Sequence, residues 1–138
     1  MQQIYDLLDI KDLTQLEPHL DDQKPFGYLE KERGFMAYLN QPKDYKFLAI
    51  LEIKPGQPRG RHYHKEKIEI FYIISGLTHG QYWLPTMKQD EGIKHVHKPG
   101  DFITIQPGLC HEFSAQEPTL ALEMTYQPFT LKDTFYPQ

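Results

Sequence analysis

Short runs of β-branched and aromatic residues, each closed by turn chemistry, limit what this 138-residue chain can become. They read GFMAYLN (34–40), YKFLAILEIK (45–54), EIFYIIS (69–75), THGQYWL (78–84), FITIQ (102–106) and TLALEMTY (119–126). Between them stand QPKD, KPGQPRG, KQDEG, KPGD and QEP, where Pro, Gly and Asp supply the backbone angles of tight turns. Strands spaced roughly ten residues apart predict an all-β sandwich or barrel of about eight or nine strands. No long helical pattern separates them, which excludes a parallel βαβ arrangement. The length suits one domain with one core.

The N-terminal end reads differently. Ile4, Leu7, Leu8, Ile10, Leu13 and Leu16 recur at spacings of three and four, which predicts one or two short helices. Pro18 and the stretch HLDDQKP are expected to end them. The chain therefore divides into an N-terminal helical segment, 1–26, packing on a β domain, 27–138. One tripeptide occurs twice, as Lys54-Pro55-Gly56 and Lys98-Pro99-Gly100, each ahead of a histidine-containing segment. That echo suggests two equivalent turns related by internal pseudo-symmetry.

The chemistry concentrates in RGRHYHKEKIEIFYIISG, residues 59–76. Strand side chains alternate, so His62 and His64 share a face and are placed to share a metal ion. Glu69 lies five residues on and would point the other way, unless a turn or bulge at Lys65-Glu66-Lys67 resets the parity. A further histidine, His111, follows a strand and the Pro107-Gly108 turn in GDFITIQPGLCHEF.

These residues carry a family resemblance. Gly56, five residues, His62-Tyr63-His64, four residues, Glu69, six residues and Gly76 resemble the first motif of the cupins at every defining position. Gly100, seven residues, Gly108, two residues and His111 resemble their second motif. Two positions depart from it: the proline before the second glycine falls one residue late, at Pro107, and Ala115 stands where an asparagine is usual. Neither is a ligand position. The resemblance implies a double-stranded β-helix, a jelly-roll barrel. It also implies that His62, His64, Glu69 and His111 converge on one divalent metal ion. Fe(II), Mn(II), Ni(II) and Zn(II) all suit three imidazoles and a carboxylate.

Other residues are candidates for a supporting part. Glu123, in the apolar run LALEMTY, needs a partner, solvent or a function, and is the candidate general base. Arg59 is a candidate for holding a substrate carboxylate or phosphate, although alternation favours the outside of the barrel for Arg59 or Arg61. Tyr82 and Trp83 are candidates for contact with substrate, with core filling the commoner fate of such rings. His95 and His97 share a face and are expected on a polar outer surface. His79 is expected in a turn. Cys110, beside His111, reads as a buried structural thiol.

A net charge of −4 and a pI near 5.9 argue against nucleic acid or an anionic membrane as partner. No apolar run approaches the roughly 20 residues of a membrane span. The single cysteine excludes an intrachain disulfide. The first residues lack the basic stretch of a secretory signal, so a cytoplasmic protein is expected. The function that fits is a metal-dependent cupin acting on a small polar metabolite, with isomerase- or epimerase-like chemistry on a sugar or sugar derivative. An Fe(II) dioxygenase and a non-catalytic carbohydrate- or metabolite-binding cupin are the alternatives. A homodimer is expected, with Phe35, Tyr38, Leu39, Leu7 and Leu8 at its interface.

Overall fold

The computed structural model describes residues 1–16 and 26–137. Nine strands run through them: β1 (Leu8–Asp12), β2 (Phe26–Lys31), β3 (Gly34–Leu39), β4 (Phe47–Ile53), β5 (Arg59–His62), β6 (Glu69–Trp83), β7 (Ile93–His97), β8 (Asp101–Ile105) and β9 (Cys110–Thr125). The one α-helix, α1, is six residues long, Gln2–Leu7. The molecule is thus mostly β, as the turn-punctuated runs require.

Two long antiparallel strands organise it. β6 and β9 pair from Glu69↔Thr125 to Trp83↔Cys110, with register irregularities between Ile73 and Thr78. There Gly76 takes φ 98°, and a Cβ on it would collide with the Pro118 carbonyl oxygen. Only glycine fits that close approach. One half of the β6–β9 pair carries β8, β1 and β4, and the other half carries β7 and β5. Side chains from both halves meet in a single core. Ile53, Phe71, Ile73, Ile103, Ile105 and Ala121 come from the first half, Tyr82 and Phe113 from the second. Each fully buried Ile or Phe stabilises by about 1.5–3 kcal/mol before conformational entropy is counted.

The opposite face of the first half alternates with the core face, as period two requires. Ile70, Tyr72, Phe102 and Met124 point outward onto Phe26, Tyr28, Ala37 and Leu39 of the β2–β3 hairpin. The repeated tripeptide does make matching turns. Gln57 N–H bonds to Lys54 O at 3.0 Å and Asp101 N–H to Lys98 O at 3.1 Å, and Gly56 and Gly100 both take positive φ.

Several expectations need correction. The expected helix stops at Leu7: Leu8–Asp12 is a strand, and only a single 3-10 turn, Leu13–Gln15, follows it. Leu8 and Ile10 pair with Ile105 and Ile103 of β8 and turn into the core, because covering an open sheet edge outweighs a marginal second helix. Residues 8–12 therefore belong to the main sheet. Leu8, 7% exposed, is core and not available to an interface. Pro18 and HLDDQKP lie outside the described residues. EIFYIIS and THGQYWL are one strand, so His79 is not in a turn but pairs with Val96 and Ser114.

Candidate functional site

His62 owes its inward position to a bulge. The β5–β9 register shifts between Gly60 and His62, and Arg61 takes φ 63°, the one positive φ at a non-glycine among the described residues. That conformation costs on the order of 1 kcal/mol. It is held from outside: Arg61 Nε lies 3.2 Å from Glu112 Oε2, and Gln89 Nε2 donates to Glu112 Oε1 at 2.8 Å. Gly60, also at positive φ, lies against the His111 carbonyl, where a Cβ would sit only 2.7 Å from the oxygen.

The parity reset between His64 and Glu69 falls at the expected place. The backbone N–H groups of Lys65, Glu66 and Lys67 donate to the Asp133 carboxylate at 2.9, 3.0 and 2.8 Å. Beyond this loop Glu69 opens β6, pointing inward like Phe71. The two motifs are joined by Gly108 N–H donating to His64 O at 2.7 Å.

Two ring orientations are fixed by backbone. A carbonyl can only accept, so His64 Nδ1–H donates to Asp133 O at 2.5 Å and His111 Nδ1–H to Leu109 O at 3.1 Å. Both Nε2 atoms then present lone pairs. They lie 2.7 and 2.9 Å from Glu69 Oε1, itself an acceptor. All three atoms are buried without a hydrogen-bond partner. Unpaired acceptors this close are costly unless a cation or proton sits among them. His62, His64, Glu69 and His111 each bring a ligand atom within 4.8 Å of the others. Burial, and then nearby His111, push His62 down to about 4, so its imidazole is neutral at physiological pH. Burial alone would raise Glu69, but the imidazoles of His111 and His64 hold it well below the usual carboxylate range. A neutral His62, an ionised carboxylate and the orphaned Nε2 lone pairs of His64 and His111 are what a divalent ion needs, and the residues fit one.

The cluster borders a cavity of about 80 Å³. Leu51, Phe71 and Phe113 form its apolar wall, and Arg59, His62, Glu69, His111 and Glu123 its polar one. Glu123 faces inward from β9, paired with Phe71 of β6. Burial, and then the neighbouring Glu69 carboxylate, push Glu123 up to about 8. Arg59 anchors Nε on Glu52 O at 2.9 Å and still lines the cavity, so it is not simply outside. A larger hollow of about 260 Å³ lies on the β2–β3 hairpin, but it lacks such a cluster of acid–base groups.

Tyr82 and Trp83 do not join this cavity. Tyr82 is fully buried, its hydroxyl 2.7 Å from His97 Nε2. Trp83, 2% exposed, points to the opposite face beside Arg61, Met87 and Gln89. The expectation of an outer surface holds for His95, which is exposed, and fails for His97. His97 is fully buried, with Nδ1 3.3 Å from Asp101 Oδ2, because β7 turns it onto the core beside Tyr82 and Phe113. Cys110 is fully buried, and burial raises its thiol to about 11. Sequence reasoning missed Asp133 entirely. It lies 69 residues from His64, and no local pattern connects the two.

Comparison with known proteins agrees with this architecture. The family model described as "Cupin domain" matches residues 49–126. No curated protein sequence matches the chain. A 3,4-ketoisomerase from Helicobacter canadensis superposes with a TM-score of 0.73 at 16% identity, covering 93% of this chain and 89% of that one. A TDP-quinovose 3,4-ketoisomerase from Campylobacter jejuni gives 0.69 at 16%, covering 93% and 91%. A variant 3,4-ketoisomerase from Thermoanaerobacterium thermosaccharolyticum, in complex with TDP-4-keto-6-deoxyglucose, gives 0.72 at 13%, covering 93% and 86%. At these identities the likeness is one of fold.

Proposed function

The chain belongs to the cupin family, and on that premise we propose that it is a metal-dependent isomerase or epimerase acting on a keto-sugar derivative. The observation that carries this reading is one cavity lined both by an ion-ready donor set and by Glu123, a half-buried carboxyl beside Glu69. His62, His64, Glu69 and His111 would hold the ion. Bound there, it supplies Lewis acidity toward a carbonyl or hydroxyl oxygen. Solved structures of like fold that act on TDP-linked keto sugars support a nucleotide-linked sugar as substrate. The fold in this reading is the double-stranded β-helix, and the working unit a homodimer.

The protein's own residues then divide the work. Glu123, ionised, takes the proton from the carbon beside the substrate carbonyl. Returning it to the former carbonyl carbon, while the proton of the neighbouring hydroxyl passes to the former carbonyl oxygen, moves the ketone by one position. Delivery of a proton to the opposite face of the same carbon by a second acid inverts the centre. Either way the proton count balances and no external oxidant or reductant is consumed. Arg59 directs positive charge into the cavity, suited to a substrate oxygen or phosphate. Leu51, Phe71 and Phe113 exclude water from the reacting carbon. The polar wall favours this chemistry over oxygenation, which calls for a drier funnel. Incubating the protein with TDP-4-keto-6-deoxyglucose in D2O tests the reading. Deuterium at a carbon adjacent to the carbonyl, with a new keto or epimeric sugar, is expected. Unlabelled, unchanged substrate contradicts it.

A further inference from the structure

We propose that the C-terminal strap around Asp133 is a working part of the metal centre, holding His64 in its ligating orientation. The inference rests on the metal reading above and adds to it residues from outside both histidine motifs. Three kinds of contact converge on one short stretch. Asp133 O accepts from His64 Nδ1, which leaves Nε2 as the inward atom. The Asp133 carboxylate accepts from the N–H groups of Lys65, Glu66 and Lys67, fixing the loop that brings Glu69 round to the same side as His64. Phe135 pairs with Tyr63, the residue between the two histidines, through N–H···O bonds of 2.9 and 3.0 Å in both directions. Lys65 Nζ adds a cation–π contact 4.0 Å above the Phe135 ring.

The placement matters because His64 lies outside β5, which ends at His62. Its ring meets Glu69, His62 and His111 on the inner side, and Asp133 O accepts from the outer nitrogen. Without the strap its backbone would keep the bond from Gly108, but the imidazole would lose the acceptor that selects its tautomer and direction. Partners of this kind typically control about 10–100-fold in metal affinity. Asp133 is therefore a positioning residue, acting through His64 and the loop after it. Its two carboxylate oxygens carry unequal loads: one accepts from Lys65, the other from both Glu66 and Lys67. A graded response follows through the loop, since Asp133→Asn keeps one side-chain oxygen acceptor and Asp133→Ala keeps none, both retaining the backbone carbonyl that faces His64.

The test loads the full-length protein with Co(II) and follows its release to a chelator by the visible absorption of the bound ion. Thermal melting of the metal-free protein is measured alongside. Release about tenfold or more faster in Asp133→Ala, intermediate in Asp133→Asn, with the metal-free Asp133→Asn protein melting close to wild type, is the expected result. Should Asp133→Ala fail to fold, Asp133→Asn decides alone. Release at the wild-type rate in the folded variants, even with lowered melting temperature, overturns the proposal and reduces the strap to a structural clamp. A wild-type protein that takes up no Co(II) instead overturns the metal reading, and the strap's part in it falls too.

Discussion

Glu69 and Glu123 line the same cavity and are driven in opposite directions: Glu69 is held well below the usual carboxylate range while Glu123 is pushed up to about 8. Two carboxyls of one cavity, held apart in proton affinity, divide naturally between binding a cation and moving a proton. Glu123→Gln keeps the shape and a hydrogen bond but cannot accept a proton. The expected outcome is turnover reduced by about 10²-fold or more, with metal content unchanged. Parallel kinetics and elemental analysis check it, and unchanged turnover removes Glu123 from the mechanism.

His97 belongs to a separate, structural network. Tyr82 and Asp101 occupy its two ring nitrogens, and all three side chains are buried. His97→Ala leaves the Tyr82 hydroxyl and the Asp101 carboxylate short of a partner, at a cost of about 1–3 kcal/mol. Urea unfolding should register that loss, while metal content stays at the wild-type level.

Acid sensitivity should show at Asp12. Partial burial alone would raise its pKa, but hydrogen bonds from Lys98, at 2.6 Å, and Thr14 bring it below the ordinary 3.8. A carboxylate depressed in the folded state stabilises above its unfolded pKa and loses that contribution as pH falls through its folded value. Asp12→Asn should therefore melt lower than wild type at neutral pH, and the gap should close below about pH 3.8. Both partners are partly exposed, so the gap corresponds to less than about 1 kcal/mol.

Much of this was legible in the chain, for identifiable reasons. Period-two alternation puts Phe71 opposite Ile70 and Glu123 opposite Met124 without saying which face is the core, and the spacing of the two cupin motifs brings out His62, His64, Glu69 and His111. What stayed hidden depends on partners distant in sequence. The spacing of three that runs through Leu7, Ile10 and Leu13 gave way to the pairing of Leu8 and Ile10 with β8. His97 looked like a surface residue because its partner Tyr82 lies on another strand. Asp133 has no motif; its meaning comes from the three N–H groups it faces.

Homodimerisation is the expected state in solution. Phe35 and Met36 on the hairpin and Leu48 and Ile50 on β4 are more than half exposed, and β4 ends its half of the sheet. Such faces and edges call for cover. Light scattering at micromolar concentration should report twice the chain mass of 16.3 kDa. A monomer contradicts the expectation.

The most direct test is metal content, measured on protein purified without chelator and without a nickel column. The account predicts about one divalent ion per chain in the wild type. It predicts near-complete loss of that ion in His64→Ala and in His111→Ala, with the β-sheet circular dichroism of both variants retained. A wild type that is metal-free and takes up no Zn(II), Mn(II), Fe(II) or Ni(II), or folded variants that keep a full complement, would contradict it.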